Sequence, residues 1–193
     1  MIRKQFLAAL GRIGVAICAV RPAALMSLRA AQDTRAGAIP GFRGKRAGTE
    51  HVYEVSASPE VVFPLLCPVR EYDWLDGWSC EMIYSGSGVA EENCIFRTKS
   101  SFGPRTWNVN RYEPPARIDF VTFEPDYMVT RLTITLEPIG TDRTRLHWKR
   151  LFTGLSNAGN EGVGLWGVER EREIGRRLEY FLKTGTMLRE SKP

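Results

Sequence analysis

Between residues 79 and 153 the chain is a run of short segments in which apolar and polar side chains alternate. A period of two is typical of strands, and Gly86-Ser87-Gly88, Glu113-Pro114-Pro115 and Gly140-Thr141-Asp142 are typical of the turns between them. With one strand before this run, the predicted strands span residues 51–55, 79–85, 93–100, 105–112, 117–123, 127–137 and 143–153. Consecutive strands joined by short turns favour an antiparallel meander.

Helical patterns lie on both sides of this run. Ser58 followed by Pro59 predicts the start of a short helix over residues 59–66, and a second short helix or turn is predicted over residues 69–75. Residues 163–188 carry apolar side chains at helical spacing among many charged ones, which predicts an amphipathic helix of about 25 residues. Because such a helix must bury its apolar face, we predict an α+β fold. In it, a curved antiparallel sheet of about seven strands wraps around the long C-terminal helix.

Two stretches resemble a known superfamily. They are Ser58-Pro59-Glu60-Val61-Val62-Phe63, and Leu66-Cys67-Pro68-Val69-Arg70-Glu71 with Trp74 and Gly77-Trp78. With this order of elements, residues 50–185 resemble the START-like helix-grip superfamily (SRPBCC), which includes the birch-pollen-allergen, polyketide cyclase/dehydrase and lipid-transport families. The second stretch is similar to an uncharacterised bacterial branch. The resemblance implies a hydrophobic cavity between the sheet and the C-terminal helix, where relatives bind lipids, polyketides or sterols.

Strand alternation identifies the side chains that face this cavity, most of which are Met, Phe, Trp, Leu and Ile. By the resemblance, three further tryptophans lie at the mouth and on the covering helix, where relatives admit ligand. The predicted ligand-binding residues are Trp74, Trp78, Met82, Tyr84, Phe96, Trp107, Phe120, Met128, Leu132, Trp148 and Trp166. The same residue types also fill a solid core, so core packing stays the alternative at each position.

The same alternation assigns no catalytic residue. His147 and the strand lysines and arginines are predicted on the outer face, away from a pocket in which acid–base catalysis would take place. Glu71, Asp73 and Asp76 near the mouth are interpreted as solvated loop carboxylates. An enzyme would instead need convergent polar side chains, such as Glu71 with Tyr72 or Tyr84.

Metal and cofactor motifs are absent from the sequence. It has two histidines and no Cys-x-x-Cys, and it lacks the glycine-rich loops that bind phosphates, so we predict neither a metal site nor a cofactor. Cys80 and Cys94 lie symmetrically about the predicted turn at residue 87, and could face each other across two strands. Free thiols are the favoured interpretation.

Charge separates the chain into two parts. Residues 1–46 carry nine Lys and Arg and one acidic residue, whereas the remainder has a net charge of −3. We predict a basic tail over residues 1–46 and a ligand-binding domain over residues 47–190; the near-neutral domain argues against nucleic-acid binding. The longest uncharged apolar piece of the tail, residues 13–20, is far below the ~20 residues that span a bilayer.

Three interpretations of the tail stay open. It is a disordered or mis-assigned segment with translation starting at Met26, an export signal, or a helix lying on a membrane surface. The first predicts a cytoplasmic protein. The other two predict export, or membrane contact through residues 1–25.

Three functions compete. The favoured one is non-catalytic binding or transport of a small hydrophobic molecule, because the inward face is apolar and has few titratable groups. A cyclase/dehydratase-type enzyme using the same cavity is the second hypothesis, and a co-chaperone-like interaction module is the third. The identity of the ligand and the oligomeric state are left open by the sequence.

Overall fold

The computed structural model of the protein describes residues 41–165 and 167–189. Seven strands within these residues form one antiparallel sheet with the order β1-β7-β6-β5-β4-β3-β2. The strands are β1 (Arg46–Val55), β2 (Cys80–Tyr84), β3 (Ile95–Ser100), β4 (Gly103–Glu113), β5 (Arg117–Glu124), β6 (Met128–Ile139) and β7 (Arg143–Gly154). The predicted α+β class and meander are confirmed. Most of the predicted tail lies outside the described residues, so its boundary stays a prediction.

The first strand is longer than predicted and pairs with the last. β1 starts at Arg46 rather than at residue 51, and it runs antiparallel to β7 from Arg46 opposite Thr153 to Val55 opposite Thr144. The burial of β1 alternates along its whole length, but its first half contains Ala47 and Gly48, which are weak strand formers. Pairing with β7 therefore sets the start of this strand.

Alternation along the strands places the predicted apolar residues on the inner face, where β7 buries Leu146, Trp148 and Phe152. One prediction for β7 is wrong. Arg150 has the same parity as these three residues and is buried with them, although the strand arginines were expected on the outer face. Its burial requires a partner, and Glu171 of the last helix lies 3.3 Å away.

The helices are shorter and more divided than predicted. α1 (Pro59–Val62) continues into a 3₁₀ turn over Phe63–Leu66, and a second 3₁₀ turn spans Glu71–Asp73. The helix predicted over residues 163–188 is the shorter α3 (Val168–Thr184), and a separate short helix, α2 (Asn157–Gly162), precedes it. Ser156 caps α2, because its side chain accepts a hydrogen bond from the Gly159 amide.

Two glycines explain the shorter last helix. Gly164 between α2 and α3 has φ +93°, and Gly185 after α3 has φ +68°. Both values lie in the left-handed region that glycine adopts without strain, so the helical path is broken at the first and ended at the second. The α3 helix has 17 residues.

The α3 helix packs on the inner face of the sheet, and the core lies between them. Leu178 of α3 is fully buried, and the core continues through Trp74 after the 3₁₀ turns to Phe96, Ile118 and Leu146 of the strands. Glu179 ties the helix to the end of β1, because its carboxylate accepts hydrogen bonds from the amide and hydroxyl of Ser56 at 2.9 and 2.8 Å. None of the described helices is long and apolar enough to cross a membrane.

Pairing of β2 with β3 separates the two cysteines of the predicted hairpin. Cys80 lies opposite Thr98, while Cys94 precedes β3, so they do not face each other. Cys67, Cys80 and Cys94 are free thiols.

Candidate functional site

A cavity of about 530 Å³ lies between the inner face of the sheet, the loop after the second 3₁₀ turn, and α3. Its volume is within the range of small-molecule sites in proteins. Apolar side chains from five neighbouring strands form its wall: Phe96, Trp107, Phe120, Leu132, Ile134 and Trp148. Because successive inward residues of a sheet sit on rigid backbone, this wall is formed before any ligand arrives.

Three of these rings make one aromatic surface. Phe96 and Trp107 stack with their centroids 5.4 Å apart, and Phe120 meets both edge-on at 6.3 and 5.8 Å. The indole Nε1 of Trp107 donates to Thr98 Oγ1 at 2.9 Å. With its polar atom occupied, Trp107 offers mainly an apolar surface to the cavity.

Trp74 and Trp78 line the cavity from the loop side. Trp74 Nε1 donates to the Leu65 carbonyl at 2.8 Å, and Trp78 Nε1 donates to the Pro68 carbonyl at 2.9 Å. These bonds hold the loop against the 3₁₀ turns. They also leave each indole with only its ring to offer a ligand.

One end of the cavity is polar. Arg150 lies against the ring of Trp148, with 5.2 Å between its guanidinium carbon and the ring centroid, and only 8% of its side chain is exposed. The carboxylate of Glu171, on α3, lies beside it and is also buried. Burial lowers the pKa of Arg150, and the neighbouring carboxylate of Glu171 opposes this shift. The pair joins the sheet to the covering helix in the interior of the protein.

Glu71 lines the cavity near this pair, in contrast to the solvated loop carboxylate that we expected. Loss of hydration raises the pKa of Glu71 to about 8, and the charge of Arg150 only partly offsets this. At neutral pH the carboxyl group therefore carries a proton for most of the time. A group in this state can donate a hydrogen bond or exchange a proton.

Tyr53 completes the same region. Its ring lies 5.9 Å from that of Trp148 and packs against Gly175 of α3, where a Cβ atom would come within 3.1 Å of the ring. Burial raises the pKa of its hydroxyl well above the usual value, and Arg150, Glu171 and Glu71 all act on it electrostatically. We call Tyr53, Glu71, Trp148, Arg150 and Glu171 the polar cluster.

A second ion pair, with a buried carboxylate and a partly exposed arginine, also borders the cavity. Arg105 of β4 lines the cavity and contacts Glu124 of β5 at 3.0 Å. Glu124 is buried and also accepts a hydrogen bond from Ser100 Oγ at 2.5 Å. Arg105 is the second strand arginine on the inner face, where none was expected.

The cavity brings together seven of the eleven predicted ligand-binding residues: Trp74, Trp78, Phe96, Trp107, Phe120, Leu132 and Trp148. Met128 is buried at the start of β6 and Met82 is half-buried in β2, and neither lines the cavity. Tyr84 is 64% exposed and faces solvent because a bulge between Met82 and Tyr84 shifts the strand pairing. Trp166 lies outside the described residues.

The acid–base pairs considered from the sequence are not formed. Tyr72 is exposed, and its hydroxyl bonds to the backbone amide and carbonyl of Cys80 at 2.8 and 2.9 Å. Tyr84 is exposed as well. Of these groups only Glu71 reaches the cavity, where its neighbours are Tyr53 and Arg150 instead.

Part of the polar cluster had a signal in the sequence. Arg150 follows Leu146 and Trp148 at a spacing of two, and Glu171 precedes Ile174 and Leu178 at helical spacing. Both charged residues therefore interrupt apolar faces, and each offsets the cost of burying the charge of the other. No such periodicity marks Glu71, because it lies in an irregular segment.

Neither a protein-family model nor a curated protein matches the chain. Norcoclaurine synthase from Thalictrum flavum has a similar structure, with a TM-score of 0.58, 14% sequence identity, and coverage of 94% of this chain and 99% of that chain. The same enzyme in complex with dopamine and hydroxybenzaldehyde has a TM-score of 0.56 at 14% identity, covering 81% of this chain and 99% of that chain. A Rhodobacter sphaeroides protein has a TM-score of 0.50 at 18% identity, covering 73% and 99%.

At these identities the likeness shows the fold alone. The chain has the helix-grip fold of the START-like proteins, as its element order predicted. Members of this fold include an enzyme with small molecules bound, but the likeness assigns no activity to this chain.

Proposed function

We propose that the protein binds a small, mainly apolar molecule in the cavity between the sheet and α3. The observation that supports this most directly is the aromatic and aliphatic wall around a space of about 530 Å³. The START-like resemblance supplies the ligand class, namely lipids, polyketides or sterol-like molecules. The norcoclaurine synthase complex with dopamine and hydroxybenzaldehyde supports a small-molecule site in this fold by analogy.

Rigid placement of the wall favours binding. Phe96, Trp107 and Phe120 are held by strand pairing and by one another, so they lose little conformational freedom when a ligand enters. Each Å² of apolar surface that a ligand removes from water contributes about 25 cal/mol to the free energy of binding. A molecule that covers much of this wall is therefore expected to bind without rearrangement of the sheet.

The test starts with the protein purified from its own cells. Solvent extraction and mass spectrometry are expected to give one molecule in a stoichiometric amount. Leu132→Trp fills the cavity from β6 and is expected to abolish this co-purification, whereas Ile83→Trp, at an exposed site of β2, keeps it. If the extract is empty and apolar probes of graded length do not bind the wild-type protein, the proposal is wrong.

A second candidate is an enzyme of the cyclase/dehydratase type, favoured by one observation. Glu71 lines the cavity with a pKa raised to about 8, which suits a group that takes up and releases a proton near neutral pH. Dehydration of an aryl β-hydroxyketone is a suitable probe reaction. Acceleration that follows an apparent pKa near 8 and disappears in Glu71→Gln supports catalysis; equal rates with and without protein argue for binding alone.

A further inference from the structure

Trp148 places an unused hydrogen-bond donor at the polar end of the cavity. The side chain lines the cavity and is 4% exposed, and its Nε1 has no hydrogen-bond partner within the described residues. A buried N–H group without a partner is destabilising and uncommon. The three indoles described above as donors, those of Trp74, Trp78 and Trp107, are all bonded to protein oxygens.

The hydroxyl of Tyr53 is the second such group. It is buried and has no hydrogen-bond partner in the described part of the chain, and its ring packs beside that of Trp148. Two neighbouring donors without acceptors among residues 41–165 and 167–189 favour an acceptor atom that belongs to a bound molecule. An indole N–H only donates, so the missing group must contain oxygen or another acceptor.

The charges around these donors favour an anionic acceptor. The Arg150 guanidinium lies against the Trp148 ring. Burial is the main cause of its lowered pKa, and the positive charge of Arg105 lowers that pKa further, so the two arginines act on the same region. The carboxylates beside these two arginines, Glu171 and Glu124, are each already in contact with one of them. Glu71 carries its proton for most of the time at neutral pH and adds little negative charge there.

Other carboxylates of the wall do not reverse this balance. Glu173 is bonded to Arg176 and Arg177 at 2.7 and 2.9 Å, and Asp76 lies at the loop side of the cavity. Lys99 and Arg170 add positive charge to the lining. An anion that enters thus meets a lining with a small excess of positive charge and an unused donor.

We propose that the molecule bound in the cavity is an apolar carboxylic acid. Its hydrocarbon or aromatic body lies along Phe96, Trp107 and Phe120, and its carboxylate accepts a hydrogen bond from Trp148 Nε1 beside Arg150. This inference rests on the proposed binding function and specifies the ligand class. The carboxylate supplies the acceptor that Trp148 lacks among the residues that the structure describes.

The test compares decanoic acid, 1-decanol and decylamine, which share one hydrocarbon chain, by calorimetric titration of the full chain at pH 7. Decanoic acid is expected to bind at least about tenfold more tightly than 1-decanol, because one charge-assisted hydrogen bond distinguishes them. Trp148→Phe removes the N–H and keeps the ring, and it is expected to reduce this ratio to about threefold or less. Trp107→Phe removes an N–H already bonded to Thr98, so it changes both affinities by the same factor.

A spectroscopic arm needs no variant. The indole Nε1–H resonance of Trp148, followed by ¹⁵N-edited NMR, is expected to shift with decanoic acid and to stay in place with 1-decanol.

Equal affinities for acid and alcohol, or tighter binding of the amine, overturn the carboxylate inference but leave the proposed binding function intact. If none of the three binds, both fail.

Discussion

The proton on Glu71 links the cavity to the stability of the protein. Burial raises its pKa to about 8 in the folded state, whereas an unfolded chain has a glutamate pKa near 4.3. Between these values the folded protein holds a proton that the unfolded chain has released. This group therefore makes the folded state less stable as the pH rises from about 4.3 to about 8, and its stabilising effect is complete only below that window.

Replacement of Glu71 by glutamine is expected to remove this dependence. Between pH 5.5 and 7.5 the free energy of unfolding of the wild type falls more steeply than that of Glu71→Gln, by at most about 1.4 kcal/mol per pH unit. Urea titrations at the two pH values measure the difference. Glu81→Gln, at an exposed site of β2, is the control and keeps the wild-type slope; parallel slopes for wild type and Glu71→Gln would contradict a protonated Glu71 in the folded state.

The three free thiols among the described residues are expected to react slowly in the folded protein. Burial raises the pKa of Cys67, Cys80 and Cys94, and only the thiolate attacks alkylating reagents. Iodoacetamide followed by peptide mapping is expected to label each of them at least about tenfold more slowly at pH 7.5 than in 6 M guanidinium chloride. Rapid labelling of fully buried Cys94 in the native protein would show that its strand end opens often.

The buried charged residues could not be predicted from the sequence. Alternation predicts the burial of most apolar strand residues, but it does not predict the arginines of the inner face, because a charged side chain is normally solvent-exposed. Arg150 and Glu171 are tolerable in the core only as a pair, and the two positions lie 21 residues apart on different elements. Their pairing becomes visible only when the helix is docked on the sheet.

At the scale of elements, glycine decides how α2 packs. Gly159 of α2 is buried against the loop before β6, where a Cβ atom would overlap the carbonyl oxygen of Tyr127. Because backbone atoms cannot rotate away as a side chain can, the helix must move to accept a larger residue. The close approach of α2 to this loop therefore depends on the absence of a side chain.

Gly159→Ala is expected to lower the free energy of unfolding by about 2 kcal/mol or more. Gly167→Ala is the matched control, since no atom lies within 4 Å of its added Cβ and its φ of −90° suits alanine. The control is expected to stay within about 1 kcal/mol of the wild type. Denaturant unfolding of both variants measures the difference; equal loss in both would mean that α2 does not depend on this contact.

The boundaries of the elements were the least predictable part. Helical spacing extends from residue 163 to residue 188, yet two glycines with positive φ confine α3 to 17 residues. The sequence contains both glycines, but a glycine within a helical pattern does not by itself predict whether the helix ends there. The surrounding packing decides it.

At the scale of the whole molecule, the sequence predicted the architecture but not the space inside it. The element order led to a helix-grip fold, which the sheet order confirms. Seven of the predicted residues surround the cavity, but the same residue types also fill solid cores. Whether apolar side chains meet or stand apart depends on the curvature of the sheet and the height of α3 above it, and neither is encoded in a local pattern.

Occupation of the cavity is expected to stabilise the protein as a whole. A ligand present at 100 times its dissociation constant adds about 2.7 kcal/mol to the free energy of unfolding. For a chain of this size, the melting temperature is then expected to rise by about 5–10 °C. Differential scanning fluorimetry with decanoic acid measures this rise, and Leu132→Trp, with its cavity filled, is expected to show none.

The pairing of the first strand with the last also has a consequence for synthesis on the ribosome. The side chain of Arg46 in β1 donates a hydrogen bond to the side chain of Thr153 in β7, 107 positions later. β1 therefore cannot join the sheet until almost the entire domain has been translated. At 5–20 residues per second, β1 waits roughly 5–20 s for its partner. During that interval the backbone donors and acceptors of β1 are open to neighbouring nascent chains, so protection by a chaperone would lower the risk of wrong pairing.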